Sequence, residues 1–152
     1  LLWQRWKDGE SLSDIGRWLG KHAASLRLSA LDMGIVSALE WLAEEFRDNT
    51  GIPCSLGVRE ENIVLDDSRA TTTFRIAQES LTNISRHAQA SQVEISLDRK
   101  DQHYLLEVRD NGRGFDASVQ KKKSIGIRER ALMLGGEAAI FSVPGVGTTI
   151  RV

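Results

Sequence analysis

With one cysteine, three histidines and no excess of either charge, the chain excludes several kinds of protein before any motif is considered. Cys54 has no second cysteine to meet, so neither an intramolecular disulfide nor a zinc cluster can form around it. Its place in the apolar stretch from Ile52 to Val58 marks it as a buried, unreactive thiol. The 20 basic and 21 acidic residues nearly cancel, and a net charge of −1 provides no overall field for nucleic acid or an anionic membrane. Any such binding needs a local patch. No apolar run approaches the ~20 residues that span a bilayer, and no charged-then-apolar leader opens the sequence. The expectation is a soluble, cytoplasmic chain with no membrane contact in this segment, and its 152 residues suit one main domain with a real core.

What is present is unevenly distributed. Trp3, Trp6, Trp18 and Trp41 all lie near the beginning, whereas seven of the 13 glycines fall between Gly112 and Gly147, so the two ends do different work. Residues 1–28 read as a short helix, an Asp8-Gly9 turn, a second helix capped by Ser11 and stopped by Gly20, and a further helix from Lys21. Lys21, His22 and Arg27 on the last element are compatible with a DNA-reading arm, and equally with a plain helical hairpin. From Gly34 to Arg47, Ile35, Leu39, Leu42 and Phe46 recur at helical spacing and predict an amphipathic helix ending before Asn49. Ile52 to Val58 and Asn62 to Leu65 read as short strands, the first held to a sheet edge by Pro53.

A second amphipathic helix is expected from Ser68 to about His87, with Phe74, Ala77, Leu81, Ile84 and Ala88 as its apolar stripe. Glu79, Asn83 and His87 form a polar row on another face, where residues four apart stack on neighbouring turns. A carboxylate there can orient or deprotonate a nucleophile, and an amide oxygen suits Mg²⁺, which keeps several waters and leans on substrate phosphates. Such a row is also what a solvated helix face looks like. Val93 to Leu97 and His103 to Arg109 alternate as a hairpin through Lys100-Asp101-Gln102, placing Asp110 on the apolar side with Tyr104, Leu106 and Val108. With Gly112 and Gly114 letting backbone approach a flat ligand, Asp110 could accept the exocyclic amine of adenine, or it could simply close the strand in an Asx turn. Lys121 to Lys123 precede a helix from Arg128 to Leu134 closed by Gly135-Gly136, and free amides near Gly126 could hold phosphates. Glu137 to Val143 and Gly147 to Val152 read as a closing hairpin around Pro144-Gly145-Val146.

The combination resembles the ATP-binding domain shared by DNA gyrase, the ninety-kilodalton heat-shock chaperone, sensor histidine kinases and mismatch-repair MutL. Phe74-Arg75-Ile76-Ala77-Gln78-Glu79-Ser80-Leu81-Thr82-Asn83-Ile84-Ser85-Arg86-His87-Ala88 is similar to the N box of nitrate-sensor-type kinases. Asp110-Asn111-Gly112-Arg113-Gly114-Phe115, Gly126-Ile127-Arg128-Glu129-Arg130 with Gly135-Gly136, and Gly145-Val146-Gly147-Thr148-Thr149 are similar to the three glycine boxes. Leu31 to Leu42 resembles the end of that subfamily's dimerisation region. The resemblance covers about residues 29–152. It implies an α+β fold, a two-layer Bergerat-type sandwich with a mixed sheet covered by helices on one face, a short helical N-terminal segment, and a nucleotide lid near Asp116 to Ser124. It divides the chain into residues 1–28, 29–50 as the end of a dimerisation helix, and 51–152 as the ATP-binding domain. By family role, Asn83 holds Mg²⁺, Glu79 assists phosphoryl transfer and Asp110 meets adenine, while His87, Gly112, Gly114, Gly126, Ile127 and Thr148 complete the ATP site.

The implied function is transfer of the γ-phosphoryl of Mg²⁺-ATP to a histidine, for relay to a DNA-binding response regulator. The family's acceptor histidine is followed by an acidic residue, but Ala23 follows His22, His87 belongs to the N box and His103 lies on a strand. The chain therefore looks truncated. It is expected to bind Mg²⁺-ATP without phosphorylating itself, to serve a separate histidine-bearing dimerisation domain, and to form a homodimer only if that region were present. Residues 1–28 resemble the N-terminal helix-turn-helix of insertion-sequence transposases, which would make them a foreign segment and the only route to nucleic acid. Two other readings stand beside the kinase: an ATP-binding regulator like the anti-sigma-factor serine kinases, and a DNA-binding protein acting through residues 1–28.

Overall fold

The computed structural model describes residues 34–60, 62–116 and 125–152. The helix-turn-helix reading of residues 1–28, the segment Leu31 to Met33 and the lysine run at 121–123 lie outside them, as does the expected lid beyond Asp116.

Helix α1, Ile35–Thr50, buries Ile35, Leu39, Leu42 and Phe46 together with Ala38, Trp41 and Ala43. It runs past the expected stop before Asn49. The Asn49 amide donates to Glu45 four residues back, and the Thr50 hydroxyl donates to the Phe46 carbonyl. Both side chains satisfy the helix instead of ending it, so termination passes to Gly51 in the left-handed conformation.

Strand β1, Cys54–Val58, begins two residues later than the sequence suggests and runs along the sheet edge, where Pro53 needs no ladder donor. Asn62 to Leu65 forms no strand. Asn62 takes a left-handed φ of 71°, Ile63 drops into the core from a loop, and the Val64 carbonyl accepts from the Tyr104 hydroxyl rather than from a ladder partner. Apolar alternation there reports one buried side chain, not pairing.

Helix α2, Asp67–Asn83, is capped by the Asp66 carboxylate, which accepts from the Arg69 amide. It continues into a π-helical turn, Ile84–Ala88, and closes at Gln89 with φ 51°. Strands β2 (Val93–Lys100) and β3 (His103–Asp110) form a long antiparallel hairpin, followed by α3 (Ile125–Met133), β4 (Ala139–Val143) and β5 (Gly147–Arg151). The sheet order is β1-β2-β3-β5-β4, with β1 parallel to β2 and every other pair antiparallel. Val93, Ile95, Leu97, Leu106, Val108 and Ile150 are buried under the helices, while Glu94, Arg109, Phe141 and Arg151 are exposed on the other side. The result is an α+β sandwich whose mixed sheet is covered on one face. Its centre includes a stacked pair, Trp41 of α1 and Phe74 of α2, with ring centroids 6.2 Å apart.

Candidate functional site

A cavity of about 480 Å³ opens where the π-helical turn, the end of β3, the β4–β5 hairpin and the start of α3 meet. Asn83, His87, Asp110, Gly114, Ile127 and Thr148, all singled out in the sequence, line it. Each arrives from a different local cause. The π turn changes the helical repeat directly after Asn83, so His87 does not stand squarely above it as a continued α-helix would have it. The period of two along β3 turns Asp110 inward after Leu106 and Val108, and antiparallel register sets Thr148 of β5 opposite Asp110.

Asp110 is 6% exposed. Its Oδ1 accepts from the Gly112 amide at 2.8 Å, so the Asx turn forms and the carboxyl still faces the cavity. Burial raises its pKa above the ordinary carboxylate value, and the backbone amides of Gly112 and Thr148 offset this only in part. A hydrogen-bond acceptor held at one end of an apolar cavity is suited to an amine on a flat ring. Asn83, also in the lining, offers an amide with no hydrogen-bond partner among the described residues.

Glu79, Gly112 and Gly126 do not line the cavity. Glu79 sits one turn before Asn83, and its carboxylate pairs with Arg130 of α3. The opposite charge on a neighbouring helix decides its direction, and helical spacing alone could not reveal that. Gly112 is packed closely against protein: a Cβ there would lie 2.2 Å from the Ala88 carbonyl oxygen, to which Arg113 also donates. Gly126 is the second residue of α3, in the first turn whose amides the helix leaves unpaired, and a Cβ there would come 3.0 Å from Glu79 Oε1 and 3.2 Å from Arg130 Nη1. It makes room for the ion pair. Among the described residues no three His, Cys, Asp or Glu side chains cluster as a metal site.

The sequence profile of the family described as histidine kinase-, DNA gyrase B-, and HSP90-like ATPase matches residues 69–152, more than half of the chain. The chain belongs to this ATPase family. Among curated proteins it is 31% identical over 127 residues to the signal transduction histidine-protein kinase/phosphatase DegS of Brevibacillus brevis. It is 37% identical over 122 residues to the sensor histidine kinase LiaS of Bacillus subtilis. These alignments take in 82% and 78% of this chain, which spans 33% of the length of either relative. The sensor protein VraS of Staphylococcus aureus is 42% identical over 82 residues, covering 52% of this chain and 24% of its own. The fold matches the histidine kinase domain of the blue-light activated kinase EL346 of Erythrobacter litoralis, with a TM-score of 0.64 at 18% identity over 83% of this chain and 68% of that one. Acinetobacter baumannii AdeS gives 0.62 at 16% identity over 79% and 63%. The described residues form a histidine kinase ATP-binding domain.

Within this ATP-binding domain the sequence reading missed most of the apolar wall. Ile84, Ile140, Ile150 and Phe115 line the cavity beside Ile127. Their signal was there as core-facing periodicity, which does not distinguish a side chain that meets protein from one that meets a ligand. Ser80, fully buried, also lines the cavity while its hydroxyl donates back to the Ile76 carbonyl. No helix among the described residues is long and apolar enough to cross a membrane.

Proposed function

We propose that this chain supplies the phosphoryl-donating half of a two-component sensor kinase of the nitrate-sensor type. It would bind Mg²⁺-ATP and present the γ-phosphoryl group to a histidine on a separate dimerisation domain, from which a DNA-binding response regulator takes it. In this reading residues 51–152 are the ATP-binding domain, 29–50 close a dimerisation region and 1–28 form a separate segment. The single observation that carries it is the buried Asp110 carboxyl, paired in register with Thr148 and lining a largely apolar cavity, an arrangement suited to adenine.

Asp110 accepts the adenine amine, Thr148 lies beside it, and Ile127, Ile140 and Ile150 flank the ring and exclude water. Asn83 is placed to hold Mg²⁺ through its amide oxygen, a fit supported by the absence of a competing partner among the described residues and by this cation's preference for few protein ligands with phosphates and water. When bound, Mg²⁺ neutralises the charge on the phosphates, and phosphoryl transfer depends mainly on such neutralisation and on positioning. His87, exposed at the cavity rim, is placed to contact the phosphates. Glu79 acts from outside the cavity: held by Arg130, its carboxylate fixes α2 against α3 and so orients the turn that carries Asn83.

Calorimetric titration of the chain with Mg²⁺-ATP, with GTP as control and Asp110→Asn as variant, tests this reading. ATP-selective binding lost in the variant supports it. Absence of ATP binding by the folded wild-type chain would refute it.

A further inference from the structure

Asn111 stands directly after the acid of the cavity and directly before Gly112. Asparagine is a thermally labile residue, most of all before glycine, where no side chain obstructs the following backbone nitrogen. In the reaction the Gly112 nitrogen attacks Cγ of Asn111 and a C–N bond forms. The Cγ–Nδ2 bond then breaks, and the side-chain nitrogen leaves as ammonia with the proton that Gly112 gives up. Water opens the resulting five-membered imide at one of its two carbonyls. The product is an aspartyl residue, or an isoaspartyl residue whose backbone runs through the former side-chain carbon.

Both reacting groups are engaged in the fold. Asn111 is exposed, yet its Oδ1 accepts from the backbone amides of Ser91 and Gln92, each at 3.0 Å, and its Nδ2 donates to the Ser91 hydroxyl at 2.9 Å. All of these bonds tie the side chain to the loop between the π turn and β2. The attacking nitrogen is tied as well: the Gly112 amide donates to Asp110 Oδ1 at 2.8 Å, and the residue packs on the Ala88 carbonyl with no space for a Cβ. Ring closure has to break these four hydrogen bonds and shift Gly112 against the π turn. Contact with water is therefore not enough to make Asn111 react; the end of β3 must first open.

We propose that Asn111 is a latent site of self-modification, with water as co-reactant: its hydrogen bonds to residues 91 and 92 keep it closed, and it opens only when the end of β3 separates from that loop. The product damages the cavity directly. An aspartyl side chain keeps an acceptor for the two amides, but it loses the donor to Ser91 and adds a carboxylate beside Asp110. The isoaspartyl form also lengthens the backbone between Asp110 and Gly112 by one carbon, at a place where Gly112 has no slack against Ala88. The effect on nucleotide rests on the ATP reading of the cavity; the reaction itself does not.

The test is to incubate the full chain at neutral pH, folded and in urea, and to follow Asn111 by peptide mass and by enzymatic methylation of isoaspartyl groups. The folded chain is expected to react at least about tenfold more slowly than the unfolded one. Ser91→Ala, which removes the acceptor of Nδ2, should speed the reaction of the folded chain and leave the rate in urea unchanged. Ser91→Thr, which keeps a hydroxyl, should stay near wild type in both. Equal rates for folded and unfolded wild type, or a folded Ser91→Ala chain no faster than wild type, would overturn the inference. Modified chain, separated from intact chain by its extra negative charge, should bind Mg²⁺-ATP at least about tenfold more weakly. Undiminished binding would overturn the damage to the cavity. Absence of ATP binding by the intact chain would instead refute the ATP reading and leave the reaction rates standing.

Discussion

At Asp110 the burial that suits an adenine amine works against the folded state. The carboxyl has a raised pKa in the fold, caused first by burial and only partly countered by two backbone amides. An acid with a raised folded pKa contributes stability below its unfolded value of about 4, and that contribution is lost as pH rises through the folded pKa. The stability of wild type should therefore fall above about pH 4 relative to Asp110→Asn, whose amide oxygen can still accept from Gly112. Thermal melts from pH 4 to 7 check this: the variant should gain on wild type as pH rises, while losing ATP affinity by about ten- to hundredfold through the unpaired adenine contact. Cys54 provides a second residue-scale expectation. Burial raises its thiol pKa to about 11 although Arg47 lowers it somewhat, so at neutral pH it holds its proton. A thiol-specific reagent should label it only on global unfolding, and rapid labelling of the folded chain would contradict its placement.

Among the elements, α2 and its π turn decide the site. The row Glu79, Asn83, His87 was legible as a helical pattern, but three residues of one pattern have three different surroundings. Arg130 takes Glu79, the cavity takes Asn83, and the change of repeat takes His87 to the rim. The turn is held in place by close backbone contact: Gly112 lies against the Ala88 carbonyl with no space for a Cβ. Gly112→Ala must push the end of β3 away from the turn, at a cost of about 1–3 kcal/mol by the usual penalty of overpacking. Urea unfolding measures that cost, and ATP affinity should fall with it because Asp110 and Asn83 are moved apart. At the other end of the helix pair, Trp41→Ala removes the ring stacked on Phe74 and should destabilise by about 3–5 kcal/mol.

Across the whole molecule, α1 shares one hydrophobic core with the sheet. Ile35, Leu39, Leu42 and Phe46 belong to the same buried cluster as Ile95, Leu97 and Val108. Amide hydrogen exchange should therefore find the central amides of α1 and of the β2–β3 hairpin opening together, with one global free energy. Exchange of α1 at much lower free energy would separate it from the sandwich. The sheet face that no described helix covers instead carries charge on charge, with Glu107 between Arg109 and Arg151, a polar surface that contributes little to that cooperative unit.

The sequence by itself determined the elements and the order of the motifs. Periods of 3.6 and two are local properties, and they marked the α1, α2, β2 and β3 segments, the inward turn of Asp110 and the edge position implied by Pro53. Only the tertiary structure decided what each marked residue touches. Gly112 meets the Ala88 carbonyl and Gly126 the Glu79–Arg130 pair, Asn62 to Leu65 finds no strand partner among the described residues, and Phe115 and Thr148 meet at the Ser142 hydroxyl. These outcomes depend on groups brought together from as far as 51 positions apart, as Glu79 and Arg130 are, and a periodicity read along the chain contains no term for such a distance.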